Sequence, residues 1–277
     1  MASTPPSSDS LTLVLVTTLA SPALETKNLE VGIGGHSIAK CQDISVAAGQ
    51  VLVLIGKNGS GKSTFLRTLC GLLKPIDGEI LFHAKPQREV SVEKTAAWLS
   101  QEEHLEFSWT VWEYVSLGRI AHNSGLQLTK QDEAVVNEAL AQTDSESLSG
   151  RIIHELSGGE RQRIRLARAL AQDTPLILMD EPTTHLDLEH QIQFLQLIEK
   201  LAQQGKSIVV SLHDVFQAKH IGTQFLLFKS QFAKSVASTG ALTKELLEET
   251  LGVRFEQFEN SAHGGQMLPI YLRRTTD

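Results

Sequence analysis

The run Gly56-Lys57-Asn58-Gly59-Ser60-Gly61-Lys62-Ser63-Thr64 decides the fold, because it fits the pattern of a phosphate-binding P-loop. An apolar run at residues 51–55 precedes it and a helix-like run at residues 65–69 follows it, so the strand and helix that a P-loop requires are both present. Its glycines let backbone N–H groups surround the α- and β-phosphates of ATP at the positive end of the helix. We therefore expect Lys62 to bridge the β- and γ-phosphates and the Ser63 hydroxyl to bind Mg²⁺.

Short apolar runs alternate with amphipathic helical patterns along the rest of the chain. This alternation is typical of an α/β fold, in which helices cover a largely parallel sheet. One helix is predicted from an apolar stripe that recurs every three or four residues and would face the sheet: Leu188, Ile192, Leu195, Ile198 and Leu201. Besides residues 51–55, buried strands are predicted at residues 176–179, 208–212 and 225–228.

Asp180 and Glu181 directly follow the strand predicted at residues 176–179. In a P-loop ATPase such a strand delivers an aspartate to the Mg²⁺ shell, which is the role expected for Asp180. Glu181 is expected to orient or deprotonate the water that attacks the γ-phosphate, as a general base. The alternative is a strand that merely ends in two solvated acids. The P-loop in the same chain favours the catalytic interpretation.

A second motif, Leu156-Ser157-Gly158-Gly159-Glu160-Arg161-Gln162-Arg163, resembles the signature motif of the ATP-binding cassette (ABC) ATPases. Ser157 is well placed to cap a helix at residues 160–171. The resemblance implies a RecA-like parallel sheet core with an antiparallel β subdomain and an inserted α-helical subdomain. It also implies that Ser157 and the amides of Gly158 and Gly159 face the γ-phosphate held by a second copy of the chain, since a helix N-terminus attracts anions.

Three further residues match this family through their order along the chain. Gln101, after an apparent strand at residues 96–100, corresponds to the Q-loop glutamine that contacts Mg²⁺ and senses a transmembrane partner. His213 corresponds to the switch histidine that contacts the γ-phosphate and supports Glu181. Asp187 corresponds to the D-loop residue that reaches across the dimer. Without the neighbouring motifs these residues would be a surface amide, a structural histidine and a favourable acid at a helix N-terminus.

One position departs from the family pattern. The family stacks adenine on an aromatic residue upstream of the P-loop, and the corresponding residue here is Ile33. We therefore expect apolar contact in place of stacking, with weaker base selectivity, unless an aromatic side chain arrives from elsewhere in the fold. Lys57 is an additional cation in the loop, and the alternative for its side chain is that it points to solvent.

Within the family, residues 109–119 are similar to the "TV.E.V..GR" stretch of importers for iron-siderophore, haem and cobalamin, and residues 213–218 to the stretch around their switch histidine. This resemblance implies an ATPase that uses ATP and Mg²⁺ and works as a homodimer on the cytoplasmic face of the cell membrane. Its implied partners are a transmembrane permease and a separate substrate-binding protein. Trp109, Trp112 and Tyr114 would either line a docking groove for the permease or belong to the core.

A soluble ABC ATPase that serves an assembly system, such as iron–sulfur cluster construction, is the alternative function, because it would use the same ATP site. The stretch at residues 109–119 favours transport. Nucleic acid is not expected as a partner, and a DNA-repair ABC ATPase is disfavoured. The chain has 32 Asp and Glu against 25 Lys and Arg, a net charge of −7, which repels a phosphate backbone.

The chain divides into three predicted parts. Residues 1–24, rich in Ser, Thr and Pro, are expected to form a disordered leader. Residues 25–240 are expected to form the nucleotide-binding domain, with the helical subdomain at about residues 103–160. Residues 241–277 are expected to form a C-terminal helix, at residues 243–251, and a tail. Cys41 and Cys70 lack metal-ligand spacing, so two reduced, buried thiols are expected.

Overall fold

The structure, a computed structural model, describes residues 21–101, 107–122, 127–258 and 266–270. The predicted leader lies outside the described residues up to residue 20. Ala23 and Leu24 are described, and both are buried, at 3% and 0% exposed. The last residues of the stretch predicted as leader are therefore packed against the domain.

The strands of the described residues follow one another closely in the first third of the chain and alternate with helices afterwards. Their bounds are β1 Leu24–Ile33, β2 His36–Cys41, β3 Ile44–Val46, β4 Val51–Gly56, β5 Asp77–Phe82, β6 Lys85–Pro86, β7 Ala96–Leu99, β8 Leu176–Asp180, β9 Ser207–Ser211, β10 Gln224–Lys229, β11 Phe232–Val236, β12 Arg254–Phe258 and β13 Gln266–Ile270. The four buried strands predicted from apolar runs are confirmed as β4, β8, β9 and β10.

Seven α-helices are described: α1 Lys62–Leu69, α2 Val111–Ser116, α3 Lys130–Gln142, α4 Gly158–Ala171, α5 Leu188–Gln203, α6 Val215–Ile221 and α7 Lys244–Leu251. Short 3₁₀-helices lie at Gln87–Glu89, Val92–Lys94, Leu117–His122, Glu146–Leu148, Ile153–Glu155 and Thr239–Ala241. Thr129 caps α3 and Ser157 caps α4, each through a reciprocal pair of hydrogen bonds with the acid three residues later. None of the described helices combines the length and the apolar character needed to span a bilayer.

One large mixed sheet carries the fold. Its described strands run in the order β6, β5, β1, β2, β11, β10, β4, β9, β8, β7, and β3 pairs with β1. From β10 to β7 every neighbouring pair is parallel, whereas the pairs β1–β2, β1–β5 and β10–β11 are antiparallel. The predicted fold class, a parallel P-loop core continued by antiparallel strands, is confirmed.

The sheet is buried on both faces, which explains why its central strands are apolar throughout rather than alternating. In β4, Val51 and Val53 join the core on one face, and Leu52 and Leu54 join the core on the other. Helix α1 covers the second face, where Phe65 meets Phe228 edge-on with ring centroids 5.7 Å apart. The first face is covered by α4, α5, α6 and α7, and α2 and α3 pack on α4.

Arg119 joins the helices that precede α4 to the end of α4 by a buried hydrogen bond, and a buried ion pair with Asp132 holds its side chain. Arg119 Nε lies 2.9 Å from Asp132 Oδ1, with the two side chains 8% and 5% exposed. Arg119 also donates to the carbonyl of Ala171, the last residue of α4, at 2.8 Å. A Cβ on the preceding Gly118 would lie 2.4 Å from the carbonyl oxygen of Arg168. Gly118 and Arg119, which end the importer-like stretch at residues 109–119, therefore both pack against α4.

Helix α5 confirms the predicted amphipathic helix but not the burial of its whole stripe. Leu195, Ile198 and Leu201 are 5%, 0% and 1% exposed, whereas Leu188 and Ile192 are 72% and 47% exposed. The prediction that all five residues face the sheet is wrong for the first two. Periodicity shows which residues share a face, but it does not show how far the covering layer extends.

The two cysteines differ in their surroundings, although both are free. Cys41 is buried, and burial raises the pKa of its thiol to about 12. Cys70 is only partly buried, so the expectation of two buried thiols is wrong for that residue. Cys70 is the residue that directly follows the last turn of α1, at the end of the helix that covers the sheet.

The C-terminal region adds a helix and a hairpin to the domain. Helix α7 is confirmed where the sequence predicts it, and Gly252 ends it with φ +67°, a left-handed conformation that glycine adopts without strain. Strands β12 and β13 pair with each other in antiparallel fashion. The sequence assigned no structure to this tail. The predicted domain boundaries at residues 103, 160 and 240 stay predictions.

Candidate functional site

Four neighbouring parallel strands end at one edge of the sheet, and each is followed by residues that the sequence singled out. β4 leads into the P-loop, β7 into Gln101, β8 into the pair Asp180 and Glu181, and β9 into His213. Ligands of open parallel sheets bind in the crevice beyond the carboxyl ends of the strands. The topology therefore brings to one crevice residues that lie far apart in sequence.

A cavity of about 400 Å³ lies in this crevice. It is lined by Ile33, Ile38, Asn58, Gly59, Gly61, Lys62, Ser63, Thr64, Gln101 and Glu181. The P-loop, the predicted Q-loop glutamine and the predicted general base thus share one concave surface.

The P-loop offers hydrogen-bond donors that suit phosphate oxygens. Helix α1 begins after Gly61, whose φ is +109°, and it has neither a side-chain cap nor an acid in its first turn. No side chain in the described ranges therefore caps its first N–H groups, as an anion site requires. Ser60 Oγ is buried without a hydrogen-bond partner among the described residues. A Cβ on Gly59 would meet nothing within 4 Å, so the loop is open there. These features fit a bound triphosphate.

Lys62 is held at the base of this loop. It is 4% exposed, and its ammonium donates to the carbonyls of Gly56 at 2.8 Å and Lys57 at 3.1 Å. Burial lowers the pKa of Lys62, while the carboxylates of Glu181 and Asp180 act in the opposite direction. A buried cation whose acceptors in the described part of the chain are two neutral carbonyls is well suited to exchange them for phosphate oxygens.

Glu181 is contacted by His213, which the family resemblance assigned to its support, and also by Gln101, which the resemblance assigned to Mg²⁺. Gln101 Nε2 donates to Glu181 Oε2 at 3.0 Å, and His213 Nε2 lies 2.5 Å from Glu181 Oε1. The Glu181 side chain is 12% exposed, and its backbone has φ +48°. For a residue other than glycine this left-handed conformation is uncommon and is often found at functional sites.

The residues predicted to hold Mg²⁺ offer a donor set that this ion accepts. Asp180 supplies a carboxylate that is 2% exposed at the end of β8, Ser63 a hydroxyl in the first turn of α1, and Gln101 an amide oxygen. Mg²⁺ prefers such hard oxygen ligands and is usually held by one or two carboxylates together with substrate phosphates. The three side chains therefore fit the ion in chemistry.

Ser211 is a site residue that the sequence interpretation missed. It is the last residue of β9 and is 0% exposed. The Ser211 hydroxyl donates to Asp180 Oδ1 at 2.7 Å, and Ser211 Oγ accepts the Glu181 N–H at 2.8 Å. The available signal was a hydroxyl inside the otherwise apolar run at residues 208–212, since a buried polar side chain needs partners.

Arg165 is a second residue that sequence reasoning missed. It belongs to α4, and its guanidinium donates to the carbonyl of Ser100 at 2.6 Å and to that of Gln101 at 3.4 Å. It also donates to the side chain of Gln162 at 3.0 Å. The helix that begins at the signature motif thus holds the backbone from which Gln101 extends.

The signature motif lies at the start of α4 and not among the residues that line the 400 Å³ cavity. The Ser157 hydroxyl accepts the N–H of Glu160, and the Glu160 carboxylate accepts the N–H of Ser157. This hydrogen bonding lowers the pKa of Glu160. Ser157 and Gly158 are exposed, so this helix end is accessible to a partner.

The signature motif touches the predicted D-loop. A Cβ on Gly159 would lie 1.9 Å from His190 Cδ2, so only glycine leaves room for that imidazole. His190 Nδ1 lies 2.6 Å from Asp187 Oδ1, and this oxygen also accepts the backbone N–H of His190. These hydrogen bonds lower the pKa of Asp187. The exposed Asp187 and the partly buried His190 therefore pack against the buried Gly159 at the start of the signature helix.

Ile33 and Lys57 differ in what they line. Ile33 is 51% exposed and shares the 400 Å³ cavity with Ile38 and the P-loop, and none of the described residues lining that cavity is aromatic. The Lys57 side chain instead reaches toward Gly252, whose Cβ would lie 2.4 Å from its Nζ. Lys57 thereby lines a separate cavity with His213, Phe216 and Val253 among others.

The aromatic residues of the importer-like stretch do not share one environment. Tyr114 is 0% exposed, and Arg168 lies over its ring at 4.9 Å. Trp109 and Trp112 are partly buried against the core. Trp109 also meets Phe107 edge-on, and Phe107 is 64% exposed. Of the two interpretations, Tyr114 therefore follows the core one.

Comparison with known proteins shows similarity to ABC transporter ATP-binding proteins across most of the chain. The profile of the family described as "ABC transporter" matches residues 40–184. The iron(3+)-hydroxamate import ATP-binding protein FhuC of Bacillus subtilis (strain 168) is 35% identical over 240 residues, covering 84% of this chain and 89% of that protein. The hemin import ATP-binding protein HmuV of Streptomyces coelicolor (strain ATCC BAA-471 / A3(2) / M145) is 37% identical over 244 residues, 87% of each chain.

Solved structures agree in fold. A metal-chelate type ABC transporter in an inward-facing conformation superposes with a TM-score of 0.80 at 30% identity, covering 91% of this chain and 98% of that one.

Proposed function

This chain belongs to the ABC transporter family of ATP-binding subunits, which are ATPases, and from this premise we propose that it energises the import of iron chelates such as siderophores or haem, or of cobalamin. The observation that carries the proposal is the similarity over most of both chains to subunits named for import of iron(3+)-hydroxamate and hemin. The comparisons do not favour an assembly ATPase.

In the proposed reaction the P-loop amides and Lys62 hold the phosphates of ATP. Ser63, Gln101 and Asp180 would hold Mg²⁺, and the ion would supply positive charge to neutralise the phosphate oxygens. Glu181 orients the attacking water and accepts its proton. The contacts of Gln101 and His213 with the two Glu181 oxygens support this role, because they fix the carboxylate beside the P-loop.

The proposed site is completed by a second copy of this chain. Ser157, Gly158 and Gly159 of one copy would bind the γ-phosphate held by the other, with Asp187 beside them. Two features support this arrangement. The N-terminus of the signature helix is exposed at Ser157 and Gly158, and Leu188, at the start of α5 next to Asp187, is 72% exposed. Exposed apolar side chains beside a polar motif are typical of an interface. Loss of the γ-phosphate would then open the dimer.

The proposed partners are a transmembrane permease and a separate substrate-binding protein, and the chain would reach the inner face of the membrane through the permease. The exposed Phe107, packed edge-on against Trp109, and Ile120, 66% exposed, offer apolar contacts on the helical segment. Arg165 links helix α4 to the backbone next to Gln101. A partner that moves α4 would therefore also move Gln101.

Co-purification tests the proposal. The Glu181→Gln variant, expressed with its neighbouring genes and held in Mg-ATP, is expected to bring a polytopic permease out of detergent-solubilised membranes. The same complex is then prepared with the wild-type ATPase subunit and placed in proteoliposomes. It is expected to take up a ferric hydroxamate, haem or cobalamin at the expense of ATP. Recovery of soluble partners alone, or uptake of none of these compounds, would contradict the proposal.

A further inference from the structure

We propose that Ser211 is a positioning residue for ATP hydrolysis, because one buried hydroxyl fixes both the proposed Mg²⁺ ligand and the backbone of the proposed general base. The proposal rests on the function proposed above for Asp180 and Glu181. It goes beyond that function by assigning a role to a residue of the neighbouring strand.

The geometry follows from the sheet. β8 and β9 are parallel, and their register pairs Asp180 with Ser211. Ser211 Oγ lies 2.7 Å from Asp180 Oδ1 and 2.8 Å from the Glu181 nitrogen. Because the Glu181 N–H must donate to Oγ, the single hydroxyl proton is directed to the carboxylate of Asp180. The two hydrogen bonds therefore have fixed directions.

The first bond acts on the metal ligand. Asp180 is 2% exposed, so little water competes for its oxygens. A carboxylate held through one oxygen keeps its other oxygen in a constant place for Mg²⁺. Groups that hydrogen-bond to metal ligands commonly change metal affinity or activity about 10- to 100-fold when they are removed.

The second bond acts on the general base. Glu181 has φ +48°, a conformation that residues other than glycine adopt only when their surroundings impose it. The bond from its N–H to Ser211 stabilises this conformation. Two residues further along, His213 lies 2.5 Å from the Glu181 carboxylate. The end of β9 thus holds Glu181 at its backbone and at its side chain.

Ser207 provides a matched control on the same strand. It is 1% exposed and its hydroxyl donates to the carbonyl of Ala47 at 3.0 Å. Ser207→Ala therefore removes a buried hydroxyl and a hydrogen bond from β9, as Ser211→Ala does, but at the opposite end of the strand from the site.

The test measures metal binding directly. Free Mn²⁺ is followed by electron paramagnetic resonance as it is titrated into the full-length chain with a non-hydrolysable ATP analogue. Ser211→Ala is expected to weaken Mn²⁺ binding and to lower kcat about 10- to 100-fold, with nucleotide affinity in EDTA unchanged. Ser207→Ala is expected to match wild type. Ser211→Thr, which keeps the hydroxyl, is expected to restore most of the Mn²⁺ affinity.

Equal Mn²⁺ affinity in Ser211→Ala and wild type would overturn the proposal, as would equal losses in Ser211→Ala and Ser207→Ala. If the alanine variant does not fold, Ser211→Cys gives the same comparison with a side chain of similar size and a weaker donor. A wild-type chain that binds no Mn²⁺ with nucleotide would instead refute the proposed function itself, and this role of Ser211 with it.

Discussion

Replacing Glu181 by Gln is expected to lower the rate of ATP hydrolysis about 10²- to 10⁴-fold, the usual contribution of a general base. The amide has the size of the carboxylate and still offers an oxygen to Gln101, which now donates to Glu181 at 3.0 Å. It cannot accept a proton from water, so hydrolysis is lost while nucleotide binding remains. Steady-state phosphate release and titration with a fluorescent ATP analogue measure the two quantities separately.

Glu79→Gln is the matched control for this variant. Glu79 is an exposed residue of β5, on the antiparallel side of the sheet, so its replacement is expected to leave both quantities unchanged. Wild-type hydrolysis by Glu181→Gln would show that another group activates the water. Loss of nucleotide binding in the same variant would show that Glu181 serves the structure of the P-loop rather than the chemistry.

Replacing Lys62 by Ala is expected to weaken ATP binding about 10- to 100-fold, because hydrogen bonds to charged groups contribute about 1.5–3 kcal/mol. Lys62 is buried and donates only to the carbonyls of Gly56 and Lys57 among the described contacts. Its ammonium can therefore turn to the phosphates without breaking an ion pair. Isothermal titration with Mg-ATP and with Mg-ADP measures the loss, which should be larger for the triphosphate.

Lys57 gives a comparison within the same loop. Its ammonium reaches Gly252 rather than the cavity that Lys62 lines, so Lys57→Ala is expected to weaken ATP binding much less. Equal losses in the two variants would mean that general positive charge, and not the placement of Lys62, attracts the nucleotide.

Local sequence patterns predict much of the fold and of the candidate site. The P-loop and its flanking elements follow from glycine spacing and from the apolar runs on either side. The caps at Thr129 and Ser157 follow from an acid three residues further on. These features are readable because hydrogen bonds to the nearest turns of the chain determine them.

What could not be predicted depends on residues that are distant in sequence. Ser211 meets Asp180 only because β8 and β9 are neighbours in a particular register, and Arg165 reaches Ser100 only because α4 packs beside β7. The exposure of Leu188 likewise depends on what covers α5. Spacing along one helix or strand carries no information about such partners.

Two copies of this chain are proposed to enclose ATP between the P-loop of one and the signature motif of the other. Gly158 allows a direct test, because a Cβ at this position would meet nothing within 4 Å, so a side chain added there does not disturb the single copy. In Glu181→Gln, the further change Gly158→Asp would place a negative charge against the γ-phosphate of the partner.

The measurement is the molar mass by light scattering in Mg-ATP. We expect a dimer for Glu181→Gln and a monomer for Glu181→Gln with Gly158→Asp, with equal ATP binding by both. A monomer for the first variant, or a dimer that survives the added charge, would contradict this arrangement of two copies.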